Sequence, residues 1–192
     1  ALDAFLDRGD EVVAVFCPPD NPKSTKPEVL KEAALARGLN PLQFTSLKGA
    51  EAAQAMIDSQ ADICVMAYVL QFVPQELCKI PTHGTIQYHP SLLPKYRGLM
   101  PSFWVLKNQE KYTGVSVFFV DEGIDSGPIV VQKKVEIGSR TQEELIEYTK
   151  DLGMDCILEA VRLIRDQSYT LMDNPAEEMT YFTFPTRQDV LE

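Results

Sequence analysis

The sequence lacks the features that are typical of secreted proteins, of domains held together by a bound metal ion, and of membrane-spanning proteins. Its four cysteines are widely spaced and show no CxxC pattern, which favours reduced, mostly buried thiols over a zinc or disulfide framework. No apolar run approaches the ~18 residues that a membrane-spanning helix needs, and we find no pattern typical of a secretory signal peptide. We therefore predict a cytoplasmic protein that uses neither a membrane nor a metal.

Basic residues are also in short supply. Lys and Arg number 18 against 28 Asp and Glu, so the formal net charge is −10. A surface of this sign argues against tight nucleic-acid binding, because the neutralisation of phosphates needs clustered cations. A local basic patch is still compatible with the composition. The charge balance as a whole therefore disfavours a nucleic-acid partner.

The length and the first residues indicate one domain whose start is missing. A chain of 192 residues is most simply a single domain, covering residues 1–192. Residues 1–9 are typical of the end of an amphipathic helix that is capped by Gly9. Because an α/β domain normally opens with a strand, we expect that its first strand lies upstream of this sequence.

Strand and helix patterns alternate along the chain, which predicts an α/β fold with a parallel sheet in its first half. Residues 11–16 (EVVAVF) are typical of a buried strand. Residues 112–120 and 129–135 are two strands joined by a short loop, so we expect this pair to be antiparallel. Thr141 opens a capping-box pattern and with it a long helix. Residues 173–192 are predicted to form an extended tail.

One histidine stands at a position that is typical of an active site. Residues 85–88 are β-branched and aromatic enough for a strand, and Pro90 and Pro94 force this strand to end near His89. Ligands of open α/β sheets bind outside the carboxyl ends of the strands. His89 is therefore a catalytic candidate, with a structural histidine bonded to a carbonyl as the alternative. The other histidine, His83, is expected to be an ordinary loop residue.

A second candidate segment is residues 120–128, where glycines alternate with carboxylates. Asp and Gly are ordinary residues of a solvated turn, so this segment is compatible with a plain connection between strands. It is equally compatible with an aspartate that faces His89 and influences its protonation. The residues alone do not separate these two interpretations.

Two linked motifs resemble the 10-formyltetrahydrofolate-dependent formyltransferase family. The first is HPSLLPKYRG at 89–98, and the second joins TGVSV at 113–117 to DEGIDSG at 121–127. The family includes glycinamide ribonucleotide transformylase, methionyl-tRNA formyltransferase, sugar-nucleotide N-formyltransferases and the hydrolase domain of 10-formyltetrahydrofolate dehydrogenase. The resemblance implies a Rossmann-like open twisted sheet, mostly parallel, with antiparallel strands in its second half.

The resemblance also implies a catalytic trio, in which this chain departs at one position. The family's Asn-x-His pattern and its aspartate carry over to His89 and Asp125, but the asparagine position holds Gln87. In the family, the Asn amide and the His donate hydrogen bonds to the oxyanion that develops when an amine attacks the formyl carbon. The Asp keeps the His charged or relays a proton. Loss of one oxyanion donor typically costs ~10²–10³ in rate, and glutamine keeps the amide on a side chain one methylene longer.

Binding residues are implied as well, each with a plainer alternative. Two loops would form the walls of a pterin pocket, or be ordinary connections. Lys95 and Arg97 would meet a phosphate of the acceptor, or be a solvated basic pair. The candidates for folate binding are Tyr68, Val69, Leu70, Gln71, Phe72, Asp121, Glu122, Gly123 and Ile124. The candidates for acceptor binding are Ser91, Lys95, Arg97 and Gly98.

The implied reaction is formyl transfer from 10-formyltetrahydrofolate to a small-molecule amine. A tetrahedral intermediate would be stabilised by His89, with Asp125 as the proton relay. Two alternatives stay open: a 10-formyltetrahydrofolate hydrolase, and a folate- or nucleotide-binding relative whose catalysis is impaired because Gln87 replaces the usual Asn. The C-terminal β-barrel of tRNA-formylating members does not fit in the remaining tail, so we expect no tRNA substrate.

Overall fold

The computed structural model describes residues 1–69 and 71–191, and the chain divides into two compact units. The first unit is Ala1–Thr85 and the second is Ile86–Glu192. Leu70, one of the candidates for folate binding, lies outside the described residues, as does the last residue of the predicted tail. That residues 1–192 form a single domain stays a prediction.

Short helices and short strands alternate in the first unit. The helices are α1 (Leu2–Arg8), α2 (Val29–Ala36), α3 (Ala50–Ser59) and α4 (Gln75–Cys78), and the strands are β1 (Val15–Cys17), β2 (Pro41–Gln43) and β3 (Cys64–Met66). β1 and β2 pair in parallel, as predicted for the first half of the chain. The strand predicted at residues 11–16 begins only at Val15, and Val13 before it is 45% exposed, so residues 11–14 lead into the strand.

Two apolar clusters stabilise the first unit. Leu2, Val15 and Ala34 pack α1, β1 and α2 together. The second cluster consists of Leu47, Ala52, Met56 and Leu77 and includes residues of α3 and α4. Both clusters use alanines with no exposed surface, at 34 and 52, where a small side chain lets a helix approach its neighbour closely. Buried apolar side chains therefore pack the helices of this unit against one another and against β1.

Longer strands and the longest helix are found in the second unit. The strands are β4 (Thr85–His89), β5 (Arg97–Gly98), β6 (Tyr112–Phe119), β7 (Ile129–Glu136) and β8 (Tyr181–Phe182), and the helices are α5 (Pro101–Lys107), α6 (Gln142–Arg165) and α7 (Arg187–Leu191). β6 pairs antiparallel with both β4 and β7, which confirms the antiparallel pair predicted from the sequence. In this ladder His89 lies opposite Ser116, and Ser116 lies opposite Gln132.

Helix α6 packs against β6 and β7 and reaches β4 through Tyr88. The capping box predicted at Thr141 is present at its start. Gly153 approaches Tyr88 so closely that a Cβ atom there would lie 2.2 Å from the ring, and the Tyr88 hydroxyl donates to the Thr149 carbonyl at 3.0 Å. Because successive strand residues face opposite sides, His89 faces away from α6. Neither α6 nor any other helix in the described residues is long and apolar enough to cross a bilayer.

The tail after α6 differs from the extended segment that the sequence predicts. It forms a 3₁₀ turn at Ala176–Glu178, then β8 and α7. β8 pairs in parallel with β5, with Arg97 opposite Tyr181, and Trp104 Nε1 donates to the Thr183 carbonyl at 2.9 Å. The prediction was wrong because these contacts are made with distant residues, and two-residue pairings leave no periodic pattern in the sequence.

Candidate active site

The histidine loop, residues 89–98, holds the imidazole of His89 with its own backbone. His89 is 5% exposed, and its Nε2 lies 2.7 Å from the carbonyl oxygen of Tyr96. A carbonyl only accepts hydrogen bonds, so Nε2 carries a proton and donates it. In the neutral ring Nδ1 is then unprotonated. This bond to a carbonyl is the one expected of a structural histidine, so a catalytic role depends on what faces Nδ1.

Buried hydroxyl groups hold the rest of the histidine loop. Ser91 and Ser116 are both 0% exposed. Ser91 Oγ donates to the Lys95 carbonyl at 2.8 Å, and Ser116 Oγ donates to the Ser91 carbonyl at 2.7 Å. Ser116 Oγ also accepts from Leu93 N at 3.3 Å and from Gln132 Nε2 at 2.9 Å. The buried polar groups thus act as hydrogen-bond partners for one another. Binding of an acceptor by Ser91 stays a prediction.

The aspartate loop, residues 121–127, brings Asp125 to the open side of the imidazole. Asp125 Oδ2 lies 3.6 Å from His89 Nδ1, and the two side chains are only 8% and 7% exposed. The N–H of Gly98 donates to the same carboxylate oxygen at 2.8 Å. Asp125 has a φ of 50°, in the left-handed region that aspartate tolerates better than most residues. The structure therefore contains the pairing that the residues alone left undecided.

This geometry leaves one ring nitrogen available for chemistry. A separation of 3.6 Å between Nδ1 and Oδ2 is longer than a hydrogen bond, so a proton on Nδ1 would not be held in a hydrogen bond with Asp125. Both side chains are nearly buried, where electrostatic interactions between charged groups are stronger than in water. With Nε2 bonded to Tyr96, Nδ1 is the nitrogen that can donate to, or take a proton from, a reacting group.

Gln87 shares a strand face with His89. Alternate residues of a strand point to the same side, and both residues belong to β4. Gln87 is half-buried and lies opposite Phe118 in the ladder. The strand thus delivers an amide and an imidazole to one side of the sheet, as the Asn-x-His spacing requires, with the amide on the longer glutamine side chain.

The side chain of Tyr96 anchors the far end of the histidine loop. Its hydroxyl donates to Glu110 Oε1 at 2.6 Å and accepts from Asn108 Nδ2 at 3.1 Å. Burial and the hydrogen bond with the Glu110 carboxylate raise the pKa of Tyr96 to about 12. The phenol therefore stays protonated at physiological pH and serves as a fixed donor, which keeps the Tyr96 backbone in place beneath His89.

The other candidates for acceptor binding occupy different environments. Lys95 is exposed. Arg97 is only 5% exposed and donates to Asn174, so these two residues are not a solvated basic pair. Gly98 has a φ of 94°, and a Cβ there would lie 2.2 Å from the Phe182 carbonyl oxygen. Gly98 is thus required by the β5–β8 pairing, and contact of these residues with an acceptor stays a prediction.

Both predicted folate-binding loops are largely exposed in their own units. In the first unit Tyr68 is 57% and Phe72 is 67% exposed, and Gln71 Nε2 donates to the Phe44 carbonyl at 3.0 Å. In the second unit Ile124 is 60% exposed. Exposed aromatic and apolar side chains beside accessible backbone suit a ligand ring with a polar edge. The other described candidates in these loops are Val69, Asp121, Glu122 and Gly123, and all of these assignments stay predictions.

Two contributors to the site were not predicted from the sequence. One is the backbone carbonyl of Tyr96, which fixes the ring of His89. The other is Asn174, whose Nδ2 donates to the carbonyls of Asp125 and Gly127, both at 2.9 Å. The only local signal at this position is the dipeptide Asn174-Pro175, which indicates a turn and no more.

Comparison with known proteins shows the family of this chain. The formyl transferase family model matches residues 2–161. Methionyl-tRNA formyltransferase of Alkaliphilus oremlandii is 32% identical over 191 residues, which are 97% of this chain and 62% of that protein. Mitochondrial 10-formyltetrahydrofolate dehydrogenase of Mus musculus is 36% identical over 185 residues, 92% of this chain and 20% of that protein. The chain therefore spans less than two thirds of the length of either curated relative.

A solved structure supports the same assignment at the level of the fold. The N-formyltransferase from Helicobacter canadensis, in complex with folinic acid and dTDP-3-aminofucose, matches with a TM-score of 0.72 and 21% identity, over 98% of this chain and 66% of that one. At this identity the likeness concerns the fold alone, and it confirms the predicted α/β class. The matched residues include both loops of the site, and the chain belongs to the formyl transferase family.

Proposed function

We propose that this chain transfers a formyl group from 10-formyltetrahydrofolate to the amino group of a small molecule. The amine nitrogen attacks the formyl carbon, the new C–N bond forms, and the bond from that carbon to N10 of the folate breaks. One proton leaves the amine and one reaches N10, so tetrahydrofolate is the second product. The observation that carries the proposal is the buried pairing of His89 with Asp125.

His89 supplies the donor that stabilises the oxyanion. Its Nε2 is bonded to the Tyr96 carbonyl, so Nδ1 is the atom that we assign to the formyl oxygen. Asp125 stabilises the protonated ring from 3.6 Å and relays the proton of the attacking amine through water. A donor that is fixed before the substrate arrives needs no reorganisation during the reaction, which is the usual source of this kind of rate enhancement.

Gln87 is assigned to the second donor. It lies on the same face of β4 as His89, and its amide is chemically equivalent to that of the family's asparagine. The extra methylene moves the amide outward, so the glutamine side chain must fold back to reach the same oxygen. Preorganised sites tolerate about 0.5 Å of displacement, which predicts slower transfer than with asparagine at this position.

The folate donor is favoured by the relatives and by the loops. One relative is named as a 10-formyltetrahydrofolate dehydrogenase, and the Helicobacter canadensis structure contains folinic acid with an amino sugar nucleotide. In this chain, the exposed Tyr68 and Phe72 offer apolar surface for the pterin ring.

The test is an acceptor screen with purified protein and 10-formyltetrahydrofolate. Release of tetrahydrofolate is followed with amino sugar nucleotides, with glycinamide ribonucleotide, with methionyl-tRNA and without an acceptor. We expect release that depends on a small-molecule amine, and a fall in kcat/KM of roughly 10²–10³ for His89→Ala and for Asp125→Asn. The control is His83→Ala, since His83 is exposed in the first unit. Full activity of both site variants, or activity with methionyl-tRNA alone, would contradict the proposal.

Hydrolysis is a second candidate that a specific observation favours. Gln87 occupies the asparagine position, and the chain is 36% identical to a protein named as a 10-formyltetrahydrofolate dehydrogenase. Water would then replace the amine and formate would be released. Formate produced at the same rate with and without every amine identifies this activity. Binding of folate without turnover, together with turnover in Gln87→Asn, identifies instead a relative whose catalysis is impaired.

A further inference from the structure

We propose that Asn174, held by Arg97, is a positioning residue that sets the place of Asp125 opposite His89. The role in catalysis rests on the proposed function, whereas the role in geometry does not. Asn174 lies in the segment after α6, far in sequence from either loop of the site. Its side chain nevertheless makes hydrogen bonds with both loops, with Arg97 of the histidine loop and with the Asp125 and Gly127 carbonyls of the aspartate loop.

The amide group of Asn174 fixes the backbone of the aspartate loop. Its Nδ2 donates to the carbonyl oxygens of Asp125 and Gly127, each at 2.9 Å. An amide NH₂ group has two donors, and both are used on carbonyls that flank Ser126. Asp125 has a left-handed φ of 50°, a conformation that persists only where the surroundings determine it. The two hydrogen bonds from Asn174 help to hold Asp125 in this left-handed conformation.

Arg97 fixes the orientation of the Asn174 amide. Its Nη2 donates to Asn174 Oδ1 at 2.8 Å and to the Asn174 backbone carbonyl at 2.9 Å. Because a guanidinium group only donates, Oδ1 must face Arg97 and Nδ2 must face the aspartate loop. Arg97 is 5% exposed, and its Nε is buried without a hydrogen-bond partner among the described residues. A buried charge with an unused donor is costly, which favours a role in geometry over one in stability.

Gly98, which follows Arg97, makes a second link between the histidine loop and Asp125. Gly98 donates its N–H to Asp125 Oδ2 at 2.8 Å. Arg97 and Gly98 therefore hold Asp125 twice, through the carboxylate directly and through the backbone by way of Asn174. The outcome is the 3.6 Å separation between Oδ2 and His89 Nδ1. Loss of the Asn174 amide removes the hydrogen bond to the Asp125 backbone and leaves the Gly98 N–H as the hydrogen bond that positions the Asp125 carboxylate.

Two substitutions separate the two functions of Asn174. Asn174→Ala removes every side-chain contact. Asn174→Asp keeps an acceptor for Arg97 and strengthens that pair, but it has no donors for the Asp125 and Gly127 carbonyls. We expect both variants to lower kcat by roughly 10- to 100-fold with little change in KM for the folate donor, because small displacements at a reacting centre have effects of this size. Glu177→Ala, in the same segment and exposed, is the matched control.

A spectroscopic readout tests the geometry without any turnover. The chain contains two histidines, so the imidazole signals of His89 and His83 are resolved in a ¹H–¹⁵N spectrum of the labelled protein. We expect Asn174→Ala and Asn174→Asp to move the Nδ1 signal of His89 and to leave His83 in place, while Glu177→Ala moves neither. Thermal unfolding confirms that each variant is folded. If Asn174→Ala does not fold, Asn174→Asp decides the question, because it preserves the Arg97 contact.

The outcomes distinguish this inference from the proposed function. An inactive wild-type protein whose His89 signal responds to Asn174→Asp supports the geometry and contradicts the transferase. An active wild-type protein whose kcat and His89 signal are both unchanged in Asn174→Asp overturns the role of Asn174. A change in kcat with an unchanged His89 signal also overturns it, because the effect would then not pass through the His89–Asp125 pair.

Discussion

The histidine loop and the aspartate loop each present one buried catalytic candidate, but the two candidate side chains are held in opposite ways. The imidazole of His89 is held from within its own loop, because its Nε2 donates to the Tyr96 carbonyl. In the aspartate loop the internal bonds lie at its exposed end, around Asp121, whose carboxylate accepts from Gly123 N and Ser126 Oγ. Its buried end at Asp125 is fixed from outside by Gly98 and Asn174.

This difference indicates which half of the pair is the more easily disturbed. The place of His89 follows from its strand and from the loop that immediately follows it. The place of Asp125 depends on residues that are far away in sequence and on the close packing of its own loop against β6. Loss of the outside hydrogen bonds to Asp125 should therefore lower activity before it lowers stability, whereas perturbation of the histidine loop, or of the close packing of Gly127 against β6, should lower both together.

The largest effect is expected where the aspartate loop meets β6. A Cβ atom on Gly127 would lie 1.6 Å from the Phe119 carbonyl oxygen, and a backbone atom cannot rotate away. Gly127→Ala must therefore displace the loop or the end of the strand. We expect a loss of at least about 3 kcal/mol in the free energy of unfolding, at the upper end for overpacking, measured by urea denaturation.

Gly123→Ala is the matched control for this prediction. A Cβ atom on Gly123 would lie 2.1 Å from Ser126 Oγ and 2.9 Å from Ser126 Cβ, so the serine hydroxyl must rotate and the exposed end of the loop must shift slightly. We expect a smaller loss than for Gly127→Ala, of about 1 kcal/mol, because the contact is with a side chain and not with the backbone of β6. Equal losses in Gly123→Ala and Gly127→Ala would show that the loop is not anchored at its buried end.

A smaller effect is expected at the hydroxyl that supports the histidine loop. Ser116→Ala leaves the Ser91 carbonyl and Leu93 N–H without their partner in a fully buried position. Unsatisfied buried groups of this kind cost about 2 kcal/mol in total, and we expect formyl-transfer activity to fall in parallel. Ser168→Ala, at an exposed serine, is the control. A loss of activity with unchanged stability in Ser116→Ala would contradict the role of this hydroxyl in holding the histidine loop.

The smallest effect is expected at the start of α6, outside both loops. Thr141→Ala removes the cap that accepts from Glu144 N and should cost about 1 kcal/mol of stability with no change in kcat. Hydrogen bonds with the backbone and side chain of Thr141 hold the pKa of Glu144 below its ordinary value of 4.5.

The sign of the pH dependence follows from that direction of shift. A carboxyl group whose pKa is depressed by folding stabilises the protein above its ordinary pKa, and the stabilisation is lost as the pH falls through the folded value. Wild-type protein should therefore lose stability below about pH 4.5 more steeply than Glu144→Gln, in acid titrations followed by circular dichroism. Identical acid profiles for the two proteins would contradict the cap.

The parts of this molecule that the sequence predicts well are those with a local cause. The end of β4 at His89 follows from Pro90 and Pro94, and the start of α6 follows from Thr141 and Glu144. The two long strands, predicted at residues 112–120 and 129–135, are observed at Tyr112–Phe119 and Ile129–Glu136. Strong β-branching and a short connection between the strands are sufficient for this level of accuracy.

What the sequence does not predict is set by contacts between distant residues. The family motif points to Asp125, but no local pattern indicates that Gly98 and Asn174 hold it. Arg97–Gly98 forms a strand only because it pairs with Tyr181–Phe182. Neither two-residue segment is long enough to show an alternating strand pattern in the sequence. The burial of Arg97 is likewise invisible, because arginine is exposed in most proteins and only its partner Asn174 explains the exception.

The pairing of the tail with the histidine loop has a consequence for how the protein is made. Tyr96 and Thr180 bond across 84 residues of chain, and Arg97 and Asn174 across 77. At about 5–20 residues per second, a ribosome therefore finishes the histidine loop and the aspartate loop several seconds before it delivers the distant residues that bond to them. During that interval the nascent chain carries His89 and Asp125 without a defined distance between them. Contacts of such long range also slow folding, so the site is expected to mature late, after translation has passed Phe182.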